Sequence, residues 1–191
     1  MNTLKNELRQ KYRALRDSFG EEFIRIASES ACTNLAKSKE FINADTVLLY
    51  YPTKNEISPL PIIELCSKLG KTVAFPVCKM EDTTLVFKET HTLDDLSPST
   101  FGLLEPNEDC EEINCSKNAL CIVPGLIFSS DGHRLGYGKG FYDRFLEKFE
   151  GISVGFSYSS LVLESLPHKA HDIPLDLIVT ESEVLKIASK N

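Results

Sequence analysis

Apolar residues at Leu4, Leu8, Tyr12, Leu15 and Phe19 recur at intervals of four, four, three and four, which draws a single stripe along an amphipathic helix. A second helix is predicted over residues 21–39. The period then shortens: TVLLYY, at 46–51, is β-branched, aliphatic and aromatic, so it reads as a first buried strand ended by Pro52. A helix over 59–69 stops at Gly70, and TVAFP at 72–76 reads as the next parallel strand, giving a βαβ unit.

Beyond that unit, residues 84–88 predict a short strand, and 90–115 are polar and turn-rich, with Pro98, Gly102 and Pro106 marking irregular backbone that covers the sheet. Ala119, Leu120, Cys121, Ile122 and Val123 form an apolar run suited to a buried strand, stopped by Pro124 and Gly125. Phe141, Phe145, Leu146 and Phe149 return to helical spacing before Gly151, and residues 152–156 and 175–180 predict further strands with a helical stretch at 160–166 between them. The pattern is that of one α/β domain over residues 1–191, with a mostly parallel sheet flanked by helices.

The formal charge of −7 argues against a general nucleic-acid surface but leaves room for a local basic pocket. No apolar run approaches membrane-spanning length, and the basic, amphipathic amino terminus lacks the apolar block of a secretory signal, so a cytoplasmic enzyme without membrane partners is expected. The cysteines, Cys32, Cys66, Cys78, Cys110, Cys115 and Cys121, include no CxxC pair and are expected to be reduced structural thiols.

Candidate chemistry concentrates in residues 124–144, PGLIFSSDGHRLGYGKGFYDR. Gly136, Gly138 and Gly140 alternate with Tyr137 and Lys139, so successive backbone amides can form an anion-binding nest leading into the amino end of the helix at Phe141. Arg134 can fork onto phosphate oxygens, Lys139 offers a mobile point charge, and Asp143 can hold the magnesium that accompanies a nucleotide. A flexible turn and an acid complementing the helix dipole are the ordinary readings of the same residues. No GxxxxGK[ST] occurs and the glycine spacing is G-x-G-x-G, so neither the P-loop nor the dinucleotide fingerprint is present. Lys5, Arg9 and Arg13 align on the first helix, with Arg16 one turn on, as a solvated basic face or a polyphosphate clamp.

RLGYGKGFYDR resembles the signature of the 5-formyltetrahydrofolate cyclo-ligase family, and KNELR, YPTKNEI, GKTVAFP, FGLLEP, PGLIF and HDIPLD follow in that family's order along nearly the whole chain. The resemblance implies a NagB/RpiA/CoA transferase-like fold. It also implies a magnesium- and ATP-dependent conversion of 5-formyltetrahydrofolate to 5,10-methenyltetrahydrofolate by a monomer. By that likeness Lys5, Arg9, Arg134, Leu135, Gly136, Gly138, Lys139, Gly140 and Tyr142 contact ATP, with Arg134 and Lys139 catalytic. Tyr51, Glu56, Tyr137, Gly138, Lys139, Gly140 and Phe141 contact the folate, and Asp143 and Asp172 hold Mg2+. Taken by spacing alone, Asp172 is a loop-capping acid, Glu56 an exposed loop acid and Tyr51 an end-of-strand aromatic.

Two positions depart from the family pattern: Phe141 replaces the usual first tyrosine of GYYDR, and Ser129 stands where an aspartate is common. His133, His168 and His171 form no spaced metal motif and are read as loop or supporting residues. No Ser, Cys or His nucleophile is required by the implied chemistry, since the formyl oxygen attacks ATP and N10 closes the ring. A phosphate-binding regulatory module, or an enzyme of sugar-phosphate isomerisation or CoA transfer on a related scaffold, are the competing readings. Tyr51 and Glu56 favour the cyclo-ligase over a phosphate sensor.

Overall fold

The computed structural model describes residues 2–99, 102–169 and 172–188; Phe101 of the FGLLEP segment and His171 of HDIPLD lie outside the described residues. The chain begins with α1 (Asn2–Asp17) and α2 (Glu21–Ala36), followed by the short α3 (Lys39–Asn43). Along the predicted stripe, Leu8, Tyr12 and Phe19 pack on the core, whereas Leu4 and Leu15 are exposed. The helix predicted over 21–39 is divided because the Ser38 hydroxyl accepts a bond from the Phe41 amide and starts α3 anew.

β1 (Thr46–Leu48) is followed by a 3₁₀ turn at Leu60–Ile62, α4 (Ile63–Lys68), β2 (Thr72–Lys79) and β3 (Thr84–Glu89). Within the covering segment, β4 (Leu96–Pro98) and β5 (Leu104–Pro106) pair antiparallel. β6 (Ala119–Val123) leads into the hairpin of β7 (Ile127–Ser129) and β8 (Arg134–Leu135), then α5 (Phe141–Leu146), β9 (Ile152–Phe156), β10 (Val162–Leu163), β11 (Leu177–Val179) and β12 (Val184–Lys186). The main sheet runs β12-β11-β9-β6-β1-β2-β3. Its inner strands pair in parallel, and β3 and β12 close the edges antiparallel, in agreement with the expected mostly parallel sheet.

Alternation along each strand feeds two cores. Val47, Leu49, Leu120, Ile122, Val154 and Phe156 belong to one cluster with α2, while Leu48, Ala74, Cys121, Val123 and Ile178 face the other, with Phe128 of β7 and Leu146 of α5. The helix predicted over 160–166 is absent. A 3₁₀ turn at Ser159–Leu161 delivers Val162 and Leu163 to β7, where the Ser130 amide donates to the Leu163 carbonyl at 2.8 Å. The three-stranded sheet β10-β7-β8 so formed interposes a hairpin between β6 and the glycine segment, which the sequence reading took as a direct strand-to-helix connection. All the cysteines are free thiols, and burial pushes Cys32 up to about 12 and Cys66 to about 11.

Candidate active site

The strand order creates the site before any side chain is considered. From β1 the chain moves outward to β2 and β3 on one side and then returns to build β6, β9, β11 and β12 on the other, so connections leave β1 and β6 in opposite directions. At that divide a cleft of about 860 Å³ opens where Tyr50 and Tyr51 follow β1, Pro124 follows β6, and Pro76 and Cys78 lie in the second half of β2. Lys5, Arg9, Tyr51, Glu56, Arg134, Leu135, Gly136, Tyr137, Gly138, Lys139, Gly140, Phe141, Tyr142, Asp143 and Asp172 all line it. Residues 167 positions apart in sequence, Lys5 and Asp172, thus share one wall.

The glycine segment forms that wall. Gly138 and Gly140 have φ of +92° and +72°, backbone that side-chain-bearing residues rarely adopt, so the alternation of glycines answers to conformation as well as to access. Arg9 Nε donates to the Gly136 carbonyl at 3.0 Å, and a Cβ at position 138 would lie 3.4 Å from Arg9 Nη2. Helix α5 that follows has only six residues, shorter than the stretch predicted to Phe149, so positive potential here comes more from side chains and loop amides than from a helix dipole.

The cations on this wall are matched by acids. Arg134, whose side chain is 6% exposed, donates from Nη2 to Asp143 Oδ1 at 2.8 Å. Lys5 Nζ donates to Asp172 Oδ2 at 2.9 Å, and the Lys169 amide donates to the same oxygen at 2.9 Å, which is the loop cap that spacing alone suggested for Asp172. Asp143 and Asp172 therefore line one cleft, each beside a cation suited to phosphate. Hard carboxylate oxygens in that setting fit Mg2+. The Tyr142 hydroxyl, buried and without a hydrogen-bond partner among the described residues, also lies at the cleft and offers a further polar contact to a ligand. Burial pushes its phenol well above the ordinary range, so it remains protonated.

The second wall carries a buried polar chain. Glu56 is 6% exposed, not the exposed loop acid of the simple reading, and its Oε2 accepts from the Thr53 amide at 2.8 Å and the Thr53 hydroxyl at 3.1 Å. The Tyr137 hydroxyl donates to Glu56 Oε1 and accepts from Arg16 Nη1 at 2.9 Å. Arg16 Nη1 also stands 3.6 Å from that carboxylate oxygen. Burial and the Glu56 charge raise the Tyr137 phenol, which keeps its proton on the side of the carboxylate. Although the Tyr137 ring is 46% exposed, its hydroxyl is enclosed between Arg16 and Glu56.

Arg16 is the residue the sequence misjudged. Its place in the basic stripe suggested solvent or a phosphate, yet it is 3% exposed beneath Tyr137, whereas Arg13 is exposed and outside the cleft lining. Arg16 lies four residues after Tyr12 and three before Phe19, beside the face that packs on the core, whereas Arg13 turns away from it, and Tyr137, 121 residues along the chain, closes over Arg16. Leu104 and Glu105 of β5, and Lys169, also line the cleft without having been singled out. Glu105 Oε1 accepts from the Cys78 amide at 3.2 Å and ties the covering segment to β2.

The two departures are accommodated differently. Phe141 lines the cleft and packs beside the second core, without a hydroxyl to offer. Ser129 is fully buried and donates from Oγ to Asp131 Oδ1 at 2.5 Å, so a carboxylate two residues downstream stands next to this position.

Comparison with known proteins agrees with the resemblance in the sequence. The model of the 5-formyltetrahydrofolate cyclo-ligase family matches residues 1–181. The Escherichia coli K12 protein named 5-formyltetrahydrofolate cyclo-ligase is 30% identical over 182 residues, covering 93% of this chain and 98% of that one. The solution structure of Aquifex aeolicus 5,10-methenyltetrahydrofolate synthetase superposes with a TM-score of 0.84 at 36% identity, covering 98% of this chain and 95% of its own. The Mycoplasma pneumoniae 5,10-methenyltetrahydrofolate synthetase shares the fold, with a TM-score of 0.75 at 22% identity over 93% of this chain and 98% of its own.

Proposed function

The chain belongs to the 5-formyltetrahydrofolate cyclo-ligase family and is a cyclo-ligase of folate metabolism, and from that premise we propose how its residues divide the work. The observation that carries the division is the meeting, in one cleft, of a cationic glycine wall with a wall built on Glu56 and Tyr137. ATP lies along the first, held by Lys5, Arg9, Arg134 and Lys139 and by the amides around Gly136, Gly138 and Gly140. The pterin lies along the second, with Glu56 accepting from its amino-pyrimidine edge and Tyr51 and Phe141 supplying packing faces.

The formyl carbon on N5 is a poor electrophile because the nitrogen lone pair is delocalised into the carbonyl. The formyl oxygen attacks the γ-phosphorus, the bond to ADP breaks, and the oxygen becomes part of a phosphate leaving group. N10 then attacks the same carbon, forms the second carbon–nitrogen bond, gives up its proton, and inorganic phosphate departs. Lys139 and Arg134 stabilise charge on the transferred group, and the two walls align oxygen with phosphorus. Asp143 and Asp172 would hold Mg2+, which when bound would supply charge neutralisation on the ATP phosphates. Arg134 and Lys5 are paired with those same two carboxylates, so phosphate would compete with Asp143 and Asp172 for the cations while the two acids would be available to the metal.

Residues 1–191 are taken as a single catalytic domain acting as a monomer in the cytoplasm, without nucleic-acid or membrane partners. Among the described residues no helix is long and apolar enough to cross a membrane. The test is near-ultraviolet absorbance of 5-formyltetrahydrofolate with protein and magnesium ATP, followed alongside ADP release. ATP-dependent appearance of the methenyl chromophore with equal ADP is expected; folded, ATP-binding protein that leaves the spectrum unchanged overturns the reading in favour of a binding module.

A further inference from the structure

Outside the cleft, the fold gathers three side chains that their sequence spacing does not connect. Asp131 and His133 sit in the turn of the β7–β8 hairpin, and His168 arrives from the segment after β10. One ligand-type atom from each lies within 4.8 Å of the other two. We propose that Asp131, His133 and His168 form a site for a zinc-class divalent cation, separate from the oxygen-rich magnesium chemistry of the cleft.

Three features beyond proximity point to coordination. His168 Nδ1 lies 3.1 Å from the Leu166 carbonyl, which can only accept; Nδ1 therefore carries the hydrogen and Nε2 is the nitrogen with a lone pair. Orientation of a ligating imidazole by a carbonyl on its other nitrogen is the usual support of a metal-bound histidine. Asp131 is supported in the same manner, since its Oδ1 accepts from the buried Ser129 hydroxyl at 2.5 Å. The imidazoles of His133 and His168 stack with centroids 3.7 Å apart and planes 9° from parallel.

Bond lengths of about 2.0–2.2 Å to zinc place tetrahedral ligand atoms roughly 3.3 Å apart, so the cluster contracts on binding. His133 is 4% exposed and serves as the anchor, while Asp131 and His168, both exposed, close on it with their supporting contacts to Ser129 and Leu166 kept. Two imidazoles and one carboxylate select zinc, cobalt or nickel over Mg2+, which prefers oxygen. Binding joins the hairpin that ends in Arg134 to the segment that carries Lys169 and Asp172, and so couples metal content to the geometry of the nucleotide wall.

The experiment is titration of chelator-treated full-length protein with Co2+ as spectroscopic probe and Zn2+ as competitor, both in millimolar Mg2+, with thermal unfolding measured in parallel. One equivalent is expected, with visible Co2+ bands of nitrogen and oxygen ligation, displacement by Zn2+ and a raised Tm that Mg2+ alone does not give. His168→Ala and Asp131→Asn, both at exposed positions, are expected to weaken binding at least tenfold and to remove the Tm shift. Unchanged binding in both variants, absence of saturable binding, or a near-ultraviolet sulfur-to-cobalt band showing that Cys78, Cys110 or Cys115 holds the metal overturns the proposal.

Discussion

On the glycine wall of the cleft Lys139 is exposed, and Lys5 and Arg134 hold single carboxylates at 2.9 and 2.8 Å; on the opposite wall Arg16 and Glu56 are 3% and 6% exposed and joined through the Tyr137 hydroxyl. The first arrangement suits a charged ligand that brings its own counterions and exchanges with side-chain partners. The second suits a neutral heterocycle recognised by hydrogen-bond pattern, because Glu56 is fixed in place by Thr53 and Tyr137 before the ligand arrives. Cations paired with carboxylates and a carboxylate held by hydrogen bonds are thus sorted to opposite sides of one cleft.

The sharpest way to break this comparison is to remove the exposed cation of the glycine wall. Lys139→Ala is expected to lower kcat by about 100-fold or more, the scale for loss of one group stabilising transition-state charge, with an unchanged unfolding curve because the residue is exposed. A full kcat in the methenyl absorbance assay would show that the glycine wall does not act on the transferred phosphate. Tyr137→Phe tests the fixed wall. It removes the hydroxyl that bridges Arg16 and Glu56 and leaves only their direct 3.6 Å ion pair, so the KM for the folate is expected to rise roughly tenfold with little change for ATP, and stability to fall by about 1–3 kcal/mol in chemical denaturation.

Gly138→Ala places a side chain at φ +92° and 3.4 Å from the Arg9 guanidinium, and is expected to raise the KM for ATP several-fold while leaving that for the folate near its original value. The smallest effect comes from pH. The fold raises the Tyr137 phenol above its unfolded value of about 10, so the stability it contributes is fully present below that pH and is lost as pH rises through the raised value. Urea unfolding from pH 8 to 11 is expected to show a shallower alkaline decline in Tyr137→Phe than in the parent protein.

How much of this was legible in the sequence depends on the range of the interaction that decides each feature. The strand at Ala119–Val123 and the division of the sheet into parallel units follow from local apolar runs, which is why they were read correctly. The end of α2 escaped because one hydroxyl, Ser38, starts a new helix where apolar periodicity alone continues. Residues 160–166 escaped because pairing with β7, about 35 positions earlier, outweighs any local helical preference. In the site, the resemblance named the residues of the glycine wall, and the structure gathers them. The burial of Arg16 and the meeting of Asp131 with His168 depend on contacts between distant segments, and charge spacing along one helix contains no trace of either.

The attachment of α1 sets an order for folding. Its bonds to Gly136 and Asp172 span 127 and 167 positions, so a growing chain exposes this helix long before its docking partners exist. A sixteen-residue helix is marginal alone in water, and the amphipathic segment must wait until the hairpin and the later loop are in place. The glycine wall therefore closes among the last steps of folding, after the sheet that supports it, and on the proposed division of the cleft nascent or partly unfolded chains would lack nucleotide affinity even when their core is formed.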